Sequence, residues 1–99
     1  MAEPVSSDGA EYVAAIDQGT TGTRCILFDH SGHPIIWSYE EHEQIYPQPG
    51  WVEHDPMEIW NTQMQTMAEV MKDIEPQSIA SIGITNQRET CVVWEADTG

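Results

Sequence analysis

Short apolar runs separated by polar punctuation organise this chain. Tyr12-Val-Ala-Ala-Ile16 is apolar and stops at Asp17, and Thr23 to Asp29 is a second stretch rich in β-formers. Gln18 to Gly22 between them carries two glycines, so the pattern predicts a buried strand, a glycine-bearing turn and a returning strand. His30-Ser-Gly-His33 punctuates again. Pro34 to Glu40 reads as a third strand with its proline at the entrance, where no ladder N–H is required. Three strands joined by two tight turns form an antiparallel meander.

Ile45 to His54 contains Pro47, Pro49 and Gly50 and is a loop with fixed bends. A helix start follows, with Asp55 as N-cap, Pro56 as first helical residue and Glu58 as the N3 member of a capping box. Trp60, Met64, Met67, Met71 and Ile74 recur at steps of four and three, which predicts one core-packed stripe ending near Glu75-Pro76. Ile79 to Thr85 is expected as a fourth strand. The helical crossover before it makes it parallel to one of the first three. Asn86 to Thr90 reads as a loop, Cys91 to Glu95 as a fifth strand, and Asp97-Thr98-Gly99 as a turn. The fold class is therefore α/β with a mixed sheet, one domain over residues 12–99 behind a loose polar tail over residues 1–11.

Charge changes the picture next. Seventeen acidic residues stand against 3 Lys plus Arg in 99 residues, a formal net charge of -14. Such a polyanion repels nucleic acid and anionic membrane surfaces. The carboxylates are spread along folded segments, with Lys72 the single lysine, a pattern that suits a surface adapted to high salt. No apolar run approaches a membrane span and no signal-like start is present, so a cytoplasmic protein is expected. Cys25 and Cys91 each sit in an apolar run and are expected to be buried, reduced thiols. His30, His33, His42 and His54 lie in turns and loops without a convergent partner and are expected to be solvated rather than metal-bound. Trp37, Trp51 and Trp94 are expected to pack.

Two segments carry candidate chemistry. Asp17-Gln-Gly-Thr-Thr-Gly-Thr-Arg24 lies between two strands. Glycines let backbone N–H groups approach a phosphate chain, Thr20, Thr21 and Thr23 add hydroxyls, and Arg24 adds a permanent cation. Asp17 at a strand end can hold Mg²⁺ directly or through water. A plain hairpin turn explains the same residues without a ligand. Thr85-Asn-Gln-Arg-Glu-Thr90 places Arg88 beside Glu89 after a buried strand, where open α/β sheets bind ligands. Adjacent donors and acceptors suit a small polyol, whose hydroxyls both give and take hydrogen bonds; a local Arg–Glu surface pair is the competing explanation.

The two segments, with the long stretch Glu43-Gln-Ile-Tyr-Pro-Gln-Pro-Gly-Trp-Val-Glu-His-Asp-Pro-Met-Glu-Ile-Trp60 between them and Ile82-Gly-Ile-Thr-Asn-Gln-Arg-Glu-Thr90 at the end, resemble the opening of the glycerol kinases. These belong to the carbohydrate kinases of the ribonuclease-H-like, actin-like ATPase fold, and the resemblance covers nearly everything from Tyr12 to Gly99. It implies that Thr20 and Thr21 contact ATP, that Thr20 also lies near the transferred phosphoryl group, that Arg24 contacts the nucleotide and that Asp17 associates with Mg²⁺. Arg88 and Glu89 match the pair that hydrogen-bonds glycerol. Gly22 departs from the pattern, since many members carry serine there, and its backbone N–H remains as a nucleotide contact.

The implied reaction transfers the γ-phosphoryl of ATP to a terminal glycerol hydroxyl. No catalytic base is expected within these residues: the family's aspartate lies beyond residue 99, in an incomplete domain that covers part of the first kinase lobe. The complete protein is expected to form a homo-oligomer. Another sugar or polyol kinase, a non-catalytic actin-like nucleotide-binding module and a free-standing acidic interaction domain stay open at this point.

Overall fold

The computed structural model describes residues 11–99; Met1 to Ala10 of the expected tail lie outside the described residues. Strands β1 (Tyr12–Gln18), β2 (Gly22–Asp29) and β3 (Pro34–Glu41) are followed by helix α1 (Pro56–Met71), a short 3₁₀ turn (Pro76–Ser78) and β4 (Ile79–Asn86). The sheet order is β3-β2-β1-β4. The first three strands are the expected antiparallel meander, and β4 lies parallel to β1 with Ile16 opposite Ile84 and Gln18 opposite Asn86.

Strand alternation decides what is buried. Ala14 and Ile16 of β1 and Cys25 and Leu27 of β2 are cross-strand partners on one sheet face, and α1 covers that face with Val70, Thr66, Thr62 and Gln63. Leu27, 0% exposed, sits at the centre. The buried stripe of α1 is therefore rotated from the expected one. Met67, Met71 and Ile74 do pack against the core, but Trp60 and Met64 are exposed. Threonine wins those inward positions because its hydroxyl can be satisfied within the helix: Thr62 donates to the Ile59 carbonyl and Thr66 to that of Gln63, both at 2.9 Å.

Both helix ends differ in detail from the expectation. Asp55 is the N-cap, but its carboxylate accepts from the Met57 N–H at 2.9 Å. Glu58 does not reach back to close a capping box; it accepts from the Glu43 N–H at 3.1 Å and ties the preceding loop to the helix. The helix stops at Met71 rather than near Glu75. Pro76 holds Glu75 in extended backbone, and Asp73 and Glu75 are unfavourable at the negative end of a helix dipole.

The fifth strand does not form. Cys91 to Glu95 makes no ladder, with Val93 86% and Trp94 69% exposed. The chain bends after β4 and Glu89 takes a left-handed conformation (φ 57°), so the segment runs along a cavity instead of returning beside β4. Cys91 is consequently exposed, against expectation, whereas Cys25 is buried and its burial pushes the thiol pKa up. Trp37, Trp51 and Trp94 are also exposed rather than packed.

Candidate functional site

Parallel pairing of β1 with β4 brings their carboxyl ends to one edge of the sheet, so the two chemistry-bearing segments emerge side by side. A cavity of about 840 Å³ opens there. Thr20 from the β1–β2 turn and Gln87, Arg88 and Glu89 from the segment after β4 all line it. The same cavity is walled by Gly50 and Val52 to His54 of the long loop and by Ile59 of α1. Thr20 and the Arg–Glu couple thus face one space.

The turn itself is built for close approach. Gly19 donates to the Gly22 carbonyl at 2.9 Å, which closes the bend. Among the described residues no acceptor takes the Thr20 or Thr21 N–H. The Thr20 carbonyl, by contrast, is gripped twice: by His42 Nε2 at 3.0 Å and by Gln44 Nε2 at 2.7 Å. His54 Nε2 lies 2.9 Å from Gln44 Oε1, and since Gln44 donates to Thr20, that oxygen accepts from the His54 N–H. Gln18 at the end of β1 donates to Gln63 Oε1 of the helix.

Asp17 and Arg24 are register partners at the end of β1 and the start of β2, with Thr85 on the other side of Asp17. Arg24 lies inside the strand and not in the loop. Its guanidinium carbon is 5.3 Å from the Trp37 ring centroid and 5.1 Å from that of Tyr39, a double cation–π contact. Thr21 shares a 3.1 Å hydrogen bond with the Tyr39 hydroxyl. Gly22 is buried.

Cation placement separates this site from an acidic surface. Lys72 pairs with Glu69 at 3.1 Å, while neither Arg24 nor Arg88 has a carboxylate within ion-pair distance among the described residues. The local Arg88–Glu89 surface pair is therefore not formed. Arg88 lines the cavity with Thr20, whereas Arg24 lies outside that lining, against Trp37 and Tyr39. In a chain of formal charge -14, an arginine without a carboxylate partner is one mark of a candidate ligand site. Glu89 adds a second mark, being the non-glycine residue with positive φ among the described residues.

Reading the residue types missed three participants. His42 is 5% exposed and hydrogen-bonded to the turn, not solvated, and its ring meets that of His54 edge-on at 4.8 Å. Gln44 and Tyr39 carried no signal beyond polarity in an otherwise ordinary strand and loop. Among the described residues no cluster of three metal-ligating side chains occurs.

The sequence profile described as the FGGY family of carbohydrate kinases, N-terminal domain, matches residues 12–99. The chain belongs to this family. It is 55% identical over 92 residues to a glycerol kinase of Roseiflexus sp. (strain RS-1), covering 91% of this chain and 18% of that protein. It is 58% identical over 91 residues to a glycerol kinase of Escherichia coli (strain K12 / DH10B), covering 90% of this chain and 18% of the relative. The crystal structure of Plasmodium falciparum glycerol kinase with ADP superimposes with a TM-score of 0.75 at 35% identity, covering 88% of this chain and 18% of that one. The FGGY chain described here therefore spans about 18% of the length of these relatives, and its mixed sheet and helix form part of the carbohydrate-kinase fold.

Proposed function

We propose that the protein carrying this FGGY segment transfers the γ-phosphoryl of ATP to a terminal hydroxyl of glycerol, giving glycerol 3-phosphate and ADP. The observation that carries the reading is the shared cavity: Thr20 of the glycine turn and the Arg88–Glu89 couple line the same space. Similarity of 55–58% to glycerol kinases supports glycerol over other polyols.

The residues divide the work by chemistry. Thr20 and Thr21 offer hydroxyls and backbone N–H groups to the phosphate oxygens, with the Gly22 N–H beside them. Arg24 supplies charge, and its ring contacts leave it un-neutralised by a carboxylate. Arg88 donates to glycerol hydroxyls and Glu89 accepts from them, which orients the alcohol toward Thr20. Asp17, a single exposed carboxylate at a strand end, fits Mg²⁺, which takes one or two carboxylates and completes its shell with phosphate and water. When bound, Mg²⁺ neutralises phosphate charge. Positioning and charge neutralisation are the main contributions a protein makes to such a transfer. The proton acceptor for the glycerol hydroxyl is not among these residues, and the complete protein is expected to supply it, act in the cytoplasm and assemble as a homo-oligomer.

The test is coupled ADP release by the full-length protein. ADP should form only with glycerol present. Arg88→Ala should raise the glycerol KM about 10- to 150-fold, the loss of a hydrogen bond from a charged donor worth about 1.5–3 kcal/mol. Glycerol-independent ADP formation, or an unchanged glycerol KM in Arg88→Ala, refutes the assignment.

A further inference from the structure

The geometry points to Tyr39 of β3 as a positioning residue for the nucleotide end of the site, its phenol occupying the place that a side chain at position 22 would otherwise fill. This rests on the nucleotide-loop reading proposed above and adds a residue outside the two segments that carry the candidate chemistry.

Three independent contacts converge on Tyr39. A Cβ built on Gly22 would stand 2.6 Å from Tyr39 Oη and 2.7 Å from its Cζ, so the phenol fills the space over the glycine. The same hydroxyl shares the 3.1 Å hydrogen bond with Thr21 Oγ1. The ring face lies 5.1 Å from the Arg24 guanidinium carbon. Tyr39 therefore approaches three candidate nucleotide residues: Thr21, Gly22 and Arg24. Strand register explains how. Tyr39 is the cross-strand partner of Arg24, and its length carries the hydroxyl along β3 to the turn.

Each contact has a consequence for phosphate binding. Bonding to Thr21 fixes a hydroxyl that would otherwise rotate freely at an exposed turn. Stacking holds Arg24 over the rings of Tyr39 and Trp37, with Asp17 its register partner but no ion pair formed. The guanidinium keeps its charge for an incoming phosphate. Gly22 and Tyr39 then form a matched pair: the glycine makes room, and the phenol sets a hydroxyl over it beside that of Thr21. The chemical class served is the phosphate chain of a nucleoside triphosphate or diphosphate.

The experiment uses the full-length protein with ADP binding by calorimetry and both KM values measured. Tyr39→Phe keeps the ring, so folding and the Arg24 stack persist; losing the hydroxyl should weaken ADP and raise the ATP KM about fivefold. Tyr39→Leu also removes the stack and should reach about twentyfold. The glycerol KM should stay within about twofold of the parent in both, a split that a general structural role would not produce. Thr21→Ala and Arg24→Ala serve as references. If they weaken ADP while both Tyr39 variants leave it unchanged, the Tyr39 inference is overturned and the nucleotide-loop reading stands. If the Tyr39 variants raise both KM values in parallel, the inference is likewise overturned. If all four variants bind ADP as the parent does, the nucleotide-loop reading falls as well.

Discussion

Replacing Gly22 with serine should destabilise this chain, and the structure says by roughly how much. The new Cβ would sit 2.5 Å from the Glu40 carbonyl oxygen and 2.6 Å from the Tyr39 hydroxyl. Ordinary carbon contacts settle about 1 Å farther out. The phenol can swing away, but the Glu40 carbonyl is β3 backbone, held by the Gly22–Glu41 register of the β2–β3 ladder. Relief therefore requires the two strands to part at the turn. Overpacking of this kind costs about 1–3 kcal/mol. A domain of this size loses about 4–8 °C of Tm per kcal/mol, so the midpoint should fall by about 5–20 °C. Thermal unfolding followed by far-ultraviolet circular dichroism reads this directly. Gly83→Ser is the control, because nothing lies within 4 Å of a Cβ built there. Gly22→Ser combined with Tyr39→Ala should recover only part of the loss, since the backbone contact persists. A Gly22→Ser midpoint no lower than that of Gly83→Ser would refute the steric reasoning.

Two further outcomes follow from burial and charge. Cys91 is exposed and Cys25 is 1% exposed with its thiol pKa raised by burial, so a thiol reagent should titrate one equivalent in the folded chain and the second only on unfolding. Two fast equivalents would contradict the placement of Cys25. Self-repulsion at net charge -14 should weaken as salt rises, because the screening length shortens from about 10 Å at 0.1 M to about 3 Å at 1 M. The denaturation midpoint should climb over that range in sodium chloride, and a flat or falling midpoint would show that the scattered carboxylates are no adaptation to salt.

The first three strands were legible because their partners are close along the chain. β1, β2 and β3 follow one another through tight turns, and the helix start at Asp55-Pro56 is written in local capping chemistry. β4 was legible from its apolar run and from the crossover preceding it. Cys91 to Glu95 has the composition of a strand, yet a strand exists only where a ladder accepts it, and composition does not reveal the bend at Glu89. The stripe on α1 failed differently. Periodicity places Trp60 and Met64 on one line, but the helix turns Thr62, Thr66 and Val70 toward β2 and β3, so a polar-looking line is the buried one. Thr20, Arg88 and Glu89 stood out as candidates at strand ends, with a plain turn and a surface pair as competing explanations until the resemblance joined them. Their convergence in one cavity depended on the parallel pairing of β1 with β4, a long-range fact.

That convergence also explains why so long a stretch between strand and helix is specific. Residues 42–54 could be read as a connector with prolines. In the structure they carry a continuous hydrogen-bonded path: Thr20 carbonyl to Gln44, and Gln44 to His54, which lines the cavity alongside Arg88 and Glu89. His42 adds a second hold on Thr20 and lies edge-on to His54, and the Ile45–Glu53 bridge closes the loop on itself. Glu58 then fastens the loop's start at Glu43 to the helix. A turn at a sheet edge held only by its own Gly19–Gly22 bond would be free to rock relative to the segment after β4. Holding its carbonyl leaves the Thr20 and Thr21 N–H groups without an acceptor among the described residues while coupling the turn to His54 in the cavity wall. The phosphoryl transfer proposed above would require two reactants held at a set distance, and this strip of loop ties the Thr20 turn to the wall of the cavity that Arg88 and Glu89 also line.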